Sequence, residues 1–265
     1  SPVGDVRDVA AVRRELASVP NFVGSIGRLT WAKEQRGCPW NEETFTCIAR
    51  GGNVEVARWA KEQENDGYIF EHSDLRGCPW DEGACSGAAL GGHPEMLQWL
   101  RANGAPWDGV TCANAAGEGH LEVLKWARAN GCPWDEWTCA EAAGGGHLEV
   151  LQWARANGAP WNEYTCAYAA GGGHLEVLQW ARANGASWDE WTCAYADEGG
   201  HWEVLQWAVA HGAPWHNSNR REICAKAAGG GHLEVLQWAC ANDCPWNDWT
   251  CAAAARGGHL EVLQW

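Results

Sequence analysis

Cysteine and histidine recur along the chain at spacings that resemble those of metal ligands. Cys166 is followed eight residues later by His174, and Cys132 is followed seven residues later by Cys139. A structural zinc site needs four such ligands in a tetrahedral arrangement, and paired Cys-x2-Cys motifs are its usual signature. No such motif occurs in the chain. The sequence therefore predicts neither a metal site nor a cofactor.

A glutamate also recurs two residues after the histidine of most repeats: Glu122, Glu149, Glu176, Glu203, Glu234 and Glu261. A catalytic carboxylate would appear once, whereas a carboxylate at the start of every helix stabilises the helix dipole. No isolated Ser/His/Asp set and no Gly-rich phosphate-binding loop accompanies these glutamates. We therefore expect no enzymatic activity.

These residues belong to an internal repeat. The string GGGHLEVLQWARANG occupies 144–158 and again 171–185. Its histidine returns every 27 residues, with one step of 31, at His93, His120, His147, His174, His201, His232 and His259. A fixed period of this length indicates a stack of small units that bury their apolar faces against one another.

One unit, residues 160–185, shows how each repeat folds. Asn162 is a favourable N-cap for a short helix of small residues, which the glycines at 171–173 end. A second helix begins at His174, with apolar residues at helical spacing, and Asn-Gly at 184–185 closes it. The sequence thus predicts a helix–turn–helix–loop unit.

The unit resembles the ankyrin repeat. Ala169-Ala170 and Gly173-His174, followed by LEVLQWA, align with the pattern of that family, and the match covers residues 24–265. In this alignment Cys166 stands at the buried leucine of the family's Thr-Pro-Leu-His segment, and Tyr164 stands at its threonine. The second helices begin at Ser25, Asn53, His93, His120, His147, His174, His201, His232 and His259. The resemblance implies an all-α, helix-turn-helix solenoid of about eight to nine short repeats that binds other proteins.

Two features depart from the ankyrin pattern. The unit has 27 residues rather than 33, so the projecting β-finger is expected to be shortened to a tight loop. The Thr-Pro-Leu-His segment is absent, and two tryptophans are added to each unit. This short, Trp-rich form is similar to ankyrin-like arrays of unicellular algae and large DNA viruses.

The repeat defines the expected domain organisation. Residues 1–24 are predicted to form an N-terminal capping helix, and 25–265 the repeat array. Insertions interrupt the array near 60–77 and, more briefly, at 216–219. The chain stops at Trp265 within a unit, so we expect the native protein to continue.

The net charge of −15 restricts the partners of the chain. Binding to nucleic acid or to anionic lipid requires clustered Lys and Arg, whereas an acidic chain suits a basic protein partner. No apolar run is long enough to enter a bilayer directly. The 13 cysteines include seven at equivalent positions, which a stack would hold too far apart for disulfides. We therefore expect reduced thiols and an intracellular, reducing compartment, cytoplasmic or organellar after removal of a leader.

Tryptophan is unusually abundant, with 21 residues in two ladders. One ladder lies six residues after each histidine, as at Trp153 and Trp180, and the other follows proline in most units, as at Trp134 and Trp161. An alanine usually follows the second-helix tryptophan, and large beside small residues favour packing between units. Stacking on a sugar, a peptide or a tetrapyrrole pigment remains the alternative role.

Positions that vary while their neighbours repeat are the candidate binding residues. Two residues after the core cysteine these are Asn114, Glu141, Tyr168, Tyr195 and Lys226, and two residues before it Trp137, Tyr164, Trp191 and Trp249. In the ankyrin family the first of these positions faces the concave groove. Trp137, Tyr164, Tyr168, Trp191 and Tyr195 would form an aromatic patch, and aromatic side chains often anchor interfaces. Alternatively, Trp137 and its equivalents only fold over the shortened loops.

The expected function is therefore a non-enzymatic protein–protein interaction scaffold that uses its concave face. A second hypothesis is a permanent structural or linker subunit of a large assembly, for example one at an organelle membrane such as an algal photosystem–antenna complex. A third, weaker hypothesis is a substrate adaptor of a ubiquitin-ligase-type complex.

Overall fold

A computed structural model describes most of the repeat array. The described residues are 26–27, 29–30, 41–62, 77–215, 224–242, 244 and 246–265. The predicted capping helix at 1–24, the insertion at 216–219 and most of the insertion near 60–77 lie outside them. The chain divides into two compact units, Ser1–Ala142 with Glu149–Pro160, and Ala143–Leu148 with Trp161–Trp265.

The first unit is built from helix pairs. Its first helices are α1 (Glu42–Arg50), α3 (Glu82–Leu90), α5 (Gly109–Gly117) and most of α7 (Glu136–Gly144). They alternate with the second helices α2 (Val54–Glu62), α4 (Pro94–Ala102), α6 (Leu121–Ala129) and α8 (Leu148–Ala156). The first helices α1, α3 and α5 pack on one another in succession, and α2, α4 and α6 do the same.

The second unit repeats this arrangement. Its helices are α9 (Glu163–Gly171), α10 (Leu175–Ala183), α11 (Glu190–Glu198), α12 (Trp202–Ala210), α13 (Leu233–Ala241), α14 (Asp248–Gly257) and α15 (Leu260–Gln264). Residues 224–229 are also helical. Each first helix contacts its second helix in the pairs α9–α10, α11–α12 and α14–α15, and α9 packs on α11. None of the described residues is in a β-strand, so the prediction of an all-α helical array is confirmed.

Local sequence signals explain where the helices begin and end. The Asn162 side chain accepts a hydrogen bond from the Tyr164 N–H at 3.1 Å and caps α9, as predicted. Gly173 has a φ of 77°, which glycine adopts without strain, and the chain then turns into α10. His174 is the N-cap of α10, so this helix begins one residue later than the sequence indicated. At its end the Asn184 side chain donates to the Trp180 carbonyl at 2.8 Å.

The core is a ladder of equivalent side chains. First helices contribute alanines and cysteines, which let neighbouring helix backbones approach closely, and six of the described second helices contribute a leucine at the same position. These leucines have no exposed surface: Leu97, Leu124, Leu151, Leu178, Leu205 and Leu236. Burial of each leucine side chain contributes about 1.5–3 kcal/mol, so these six repeats gain a similar increment in the free energy of unfolding.

The described tryptophans of the two ladders contact each other within the repeats, whereas the sequence predicted packing between them. Trp134 meets Trp153 edge-on at 6.0 Å between ring centroids, and the Arg128 guanidinium covers Trp134 at 4.0 Å. Arg128 also donates to the Cys132 carbonyl. Equivalent ring pairs are Trp80–Trp99, Trp107–Trp126, Trp161–Trp180, Trp188–Trp207, Trp215–Trp238 and Trp246–Trp265.

One pair of cysteines contradicts the expectation of reduced thiols. Cys224 and Cys244 form a disulfide with an S–S distance of 2.08 Å and a Cα–Cα distance of 6.8 Å. Equivalent cysteines of successive repeats were expected to lie too far apart for a disulfide, but Cys224 and Cys244 are not equivalent. The connection that carries Cys244, before Pro-Trp, folds back onto the helical residues 224–229, where Cys224 lies 20 residues earlier in the chain.

Candidate protein-interaction surface

The first helices of the second unit present four aromatic side chains together. Tyr164 and Tyr168 lie one helical turn apart on α9, and Trp191 and Tyr195 lie at the same positions of α11. Residues four apart share a helix face, and α9 and α11 pack side by side. The equivalent positions of successive units therefore become neighbours across the helix–helix contact.

Ring contacts join the four residues, which we call the aromatic cluster. The Tyr164 and Tyr168 centroids are 6.4 Å apart, Tyr168 and Tyr195 are 6.1 Å apart, and Trp191 and Tyr195 are 5.9 Å apart. Tilted and edge-on pairs at such distances stabilise one another by about 0.5–1.5 kcal/mol beyond the area that they bury. The ring contacts therefore hold the four side chains of the cluster in a fixed arrangement.

Glycines in the preceding first helix make room for the two inner tyrosines. A Cβ atom added at Gly144 would lie 3.2 Å from a Tyr168 ring carbon, and one added at Gly171 would lie 3.2 Å from the Tyr195 Cβ. These glycines stand inside the last turn of their helices, where glycine lowers helix stability. The absence of a side chain at these glycines leaves room for the tyrosine of the next first helix.

The cluster is only partly covered and lies beside negative charge. Trp191 is 48% exposed, while the three tyrosines are half-buried. Asp189 caps α11, and burial raises the pKa of its carboxyl, with further increases from Glu190 and Glu163. These three carboxylates are thus close enough to interact along the helix starts from which Tyr164 and Trp191 project.

In the first unit the corresponding residues differ in character. Val110 and Trp137 are 51% and 39% exposed, and the Asn114 amide donates to the Ser86 carbonyl at 3.3 Å. Glu141 lies over Gly117, and burial raises the pKa of its carboxyl. Trp137, which the sequence grouped with the aromatic patch, belongs to this unit, whereas the four joined rings belong to the second.

The structure gives Lys226 a structural partner. Its ammonium lies 3.0 Å from the Asp197 carboxylate, which is only 4% exposed. Asp197 was missed by the sequence analysis, although a signal existed. It replaces the second alanine of the Ala-Ala pair that other units keep, at Ala116, Ala143, Ala170 and Ala228. Lys226 therefore neutralises a buried acid, and contact with a partner would compete with that role.

Trp249, the remaining candidate, projects from α14 and is 73% exposed. It follows the N-cap Asn247 at the position that Trp191 occupies after Asp189. The structure thus places all nine sequence-predicted residues on first helices, and ring contacts join Tyr164, Tyr168, Trp191 and Tyr195.

The repeated histidines pack against the turn of the preceding repeat. The His174 ring lies against Gly146, and the His201 ring lies against Gly173, so a Cβ at either glycine would clash. His259 Nε2 lies 3.0 Å from the Gly229 carbonyl. In the described part of the chain no three His, Cys, Asp or Glu side chains are grouped to hold a metal ion.

Across the residues that the structure describes, every helix is too short or too polar to cross a membrane. No protein-family model matches the chain, and a comparison with curated proteins also finds no match.

Proposed function

We propose that the chain is a non-enzymatic protein-interaction module built from ankyrin-like repeats, and that the aromatic cluster is its binding surface. The carrying observation is the chain of ring contacts through Tyr164, Tyr168, Tyr195 and Trp191, with nearly half of the Trp191 surface exposed. Aromatic side chains that are held rigidly lose little entropy on binding, which is why they dominate interface energies.

Charge indicates the chemistry of the partner. Glu163, Asp189 and Glu190 border the cluster, and the chain carries a net charge of −15. A partner segment with Arg or Lys would gain attraction to these carboxylates and cation–π contacts with exposed rings. We therefore propose a basic protein segment as the partner.

A peptide selection tests this proposal. Random 12-residue peptides displayed on phage are selected against the folded chain, and enriched sequences are remade as synthetic peptides for fluorescence anisotropy. We expect enrichment in Arg and Lys, and affinity that falls as salt rises from 50 to 500 mM, because salt screens the carboxylates.

Variants then locate the surface. The double variant Trp191→Ala/Tyr195→Ala should weaken binding by about 30-fold, the effect of losing a 2 kcal/mol anchor. Trp249→Ala is the matched control, since it removes an exposed tryptophan at the same helix position outside the cluster. Equal losses in both variants, or unchanged affinity of the double variant with unchanged helicity, would contradict the assignment.

A further inference from the structure

A second pair of cysteines occupies the positions of the disulfide, but in the first unit. Cys112 lies in α5, Cys132 lies in the connection that follows α6, and neither has exposed surface. The Cys132 thiol donates a hydrogen bond to the Asp108 carbonyl at 3.4 Å, and it lies near enough to Cys112 for the two thiols to shift each other's pKa. Both cysteines are free thiols.

The backbone holds this pair in the same way as Cys224 and Cys244. The Cys132 N–H donates to the Ala127 carbonyl at 3.0 Å, and the Cys244 N–H donates to the Ala239 carbonyl at the same distance. The helices that carry Cys112 and Cys224 also end in the same kind of turn. The turn is closed by hydrogen bonds of 2.8 Å from the His120 and His232 N–H groups to the alanine five residues earlier.

This pairing occurs at few repeats. Twenty residues after the core cysteine, the other described units carry an alanine: Ala105, Ala159, Ala186 and Ala213. Alanine satisfies the packing and the backbone hydrogen bond equally well at this position, as the Ala105 N–H to the Leu100 carbonyl shows. Cysteine is therefore not required there by the fold, and its presence opposite a second cysteine adds redox chemistry.

We propose that Cys112 and Cys132 are a second disulfide site, oxidised by a low-molecular-weight disulfide such as oxidised glutathione. The Cys112 thiolate attacks one sulfur of the oxidant, forms a mixed disulfide and releases one glutathione thiolate. The Cys132 sulfur, after losing its proton, attacks the Cys112 sulfur and releases the second. The protein pair loses two electrons and two protons, and the oxidant becomes two molecules of reduced glutathione.

The surroundings assign the order of these steps. The Cys132 thiol donates its proton to a hydrogen bond with the Asp108 carbonyl, which favours the protonated form, and interaction with Cys132 lowers the pKa of the Cys112 thiol. Because a thiolate is the attacking species, Cys112 is the nucleophile and Cys132 completes the bond. Burial of both sulfurs requires the connection to open briefly, so oxidation should be slow relative to that of the exposed Cys251.

The resulting bond would tie the connection after α6 to α5 and close a loop between residues 112 and 132. Closure of a loop lowers the entropy of the unfolded chain, so the oxidised first unit should resist unfolding better than the reduced one. The stability of the first unit would then rise when its surroundings are oxidising and fall when they are reducing.

Non-reducing peptide mapping tests the site. The folded chain is equilibrated with mixtures of reduced and oxidised glutathione, quenched with acid, alkylated and digested with trypsin, which cuts after Lys125 and Arg128 between the two cysteines. We expect a cross-linked peptide pair and two fewer alkylation adducts, both reversed by dithiothreitol. Cys139 shares a tryptic peptide with Cys132, so Cys139→Ala should keep the cross-link and thereby assign it.

Two variants keep the proposal falsifiable. Cys132→Ala should abolish the cross-link without loss of helicity, because alanine occupies this position in four other units. Ala105→Cys should create a new cross-link to Cys85, which lies 20 residues earlier. The proposal is overturned if Cys112 and Cys132 both remain alkylatable at equilibrium with excess oxidised glutathione. It is also overturned if the thiol introduced at 105 stays reduced under these conditions.

Discussion

Lys226→Ala should destabilise the second unit by about 2 kcal/mol, because it removes the cation beside a carboxylate that is 4% exposed. Loss of one partner from a buried ion pair costs about 3–5 kcal/mol. The Lys226 side chain is 36% exposed, so water screens the pair and reduces the expected cost. Asp197→Ala should change stability by less than about 1 kcal/mol, because alanine fills the equivalent site elsewhere in the chain and leaves no buried charge.

A double-mutant cycle measures the coupling. Urea unfolding followed by far-UV circular dichroism should show a midpoint about 1 M lower for Lys226→Ala, at a slope of about 2 kcal/mol per molar. The double variant should return to the value of Asp197→Ala, which gives a coupling of about 2 kcal/mol. Lys125→Ala is the control, since its 2.8 Å pair with Glu122 is exposed and should contribute under about 0.5 kcal/mol. If the two single variants are equally destabilised and their effects add, the buried-charge explanation is wrong.

Thr165 is buried and Glu141 is half-buried, so both polar groups are withdrawn from water. Thr165→Val should raise the free energy of unfolding by about 1 kcal/mol in the same urea assay. The Thr165 hydroxyl has no hydrogen-bond partner in the described structure, and a methyl group fits its place. Lower stability of the variant would show that the hydroxyl is hydrogen-bonded. Glu141→Gln should stabilise the chain near pH 7 and have no effect near pH 3. The raised pKa of this carboxyl makes the folded chain the stronger proton binder, so stability falls as pH rises from the unfolded pKa through the folded one; a stabilisation that is independent of pH would contradict this cause.

Much of the architecture follows from local sequence patterns. Asn162 before a run of small residues, the glycines at 171–173 and the leucine spacing after His174 each act within a few residues. Such signals specify the start and end of α9 and α10 to within a residue or so, because capping and helical periodicity are short-range effects. The positions of the candidate residues on the first helices could be predicted for the same reason.

The contacts between neighbouring repeats could not be predicted in this way. The sequence grouped Tyr168 and Tyr195 in one aromatic patch, but only the packing of α9 on α11 showed that their ring centroids lie 6.1 Å apart. Likewise, Asp197 and Lys226 are 29 residues apart, and their charges meet only because two first helices pack together. A pattern confined to one repeat contains no information about which side chain faces the next repeat.

The repeating helix pair, the spacing of its caps and the small residues of its first helices follow from local sequence, because they depend on each segment's own backbone and side chains. Which departures from the repeat act together depends on packing between segments. Cys224 bonds to Cys244, Cys112 lies near Cys132, and the Tyr168 and Tyr195 rings contact each other. Each of these depends on distances between segments that only the packed array brings within reach.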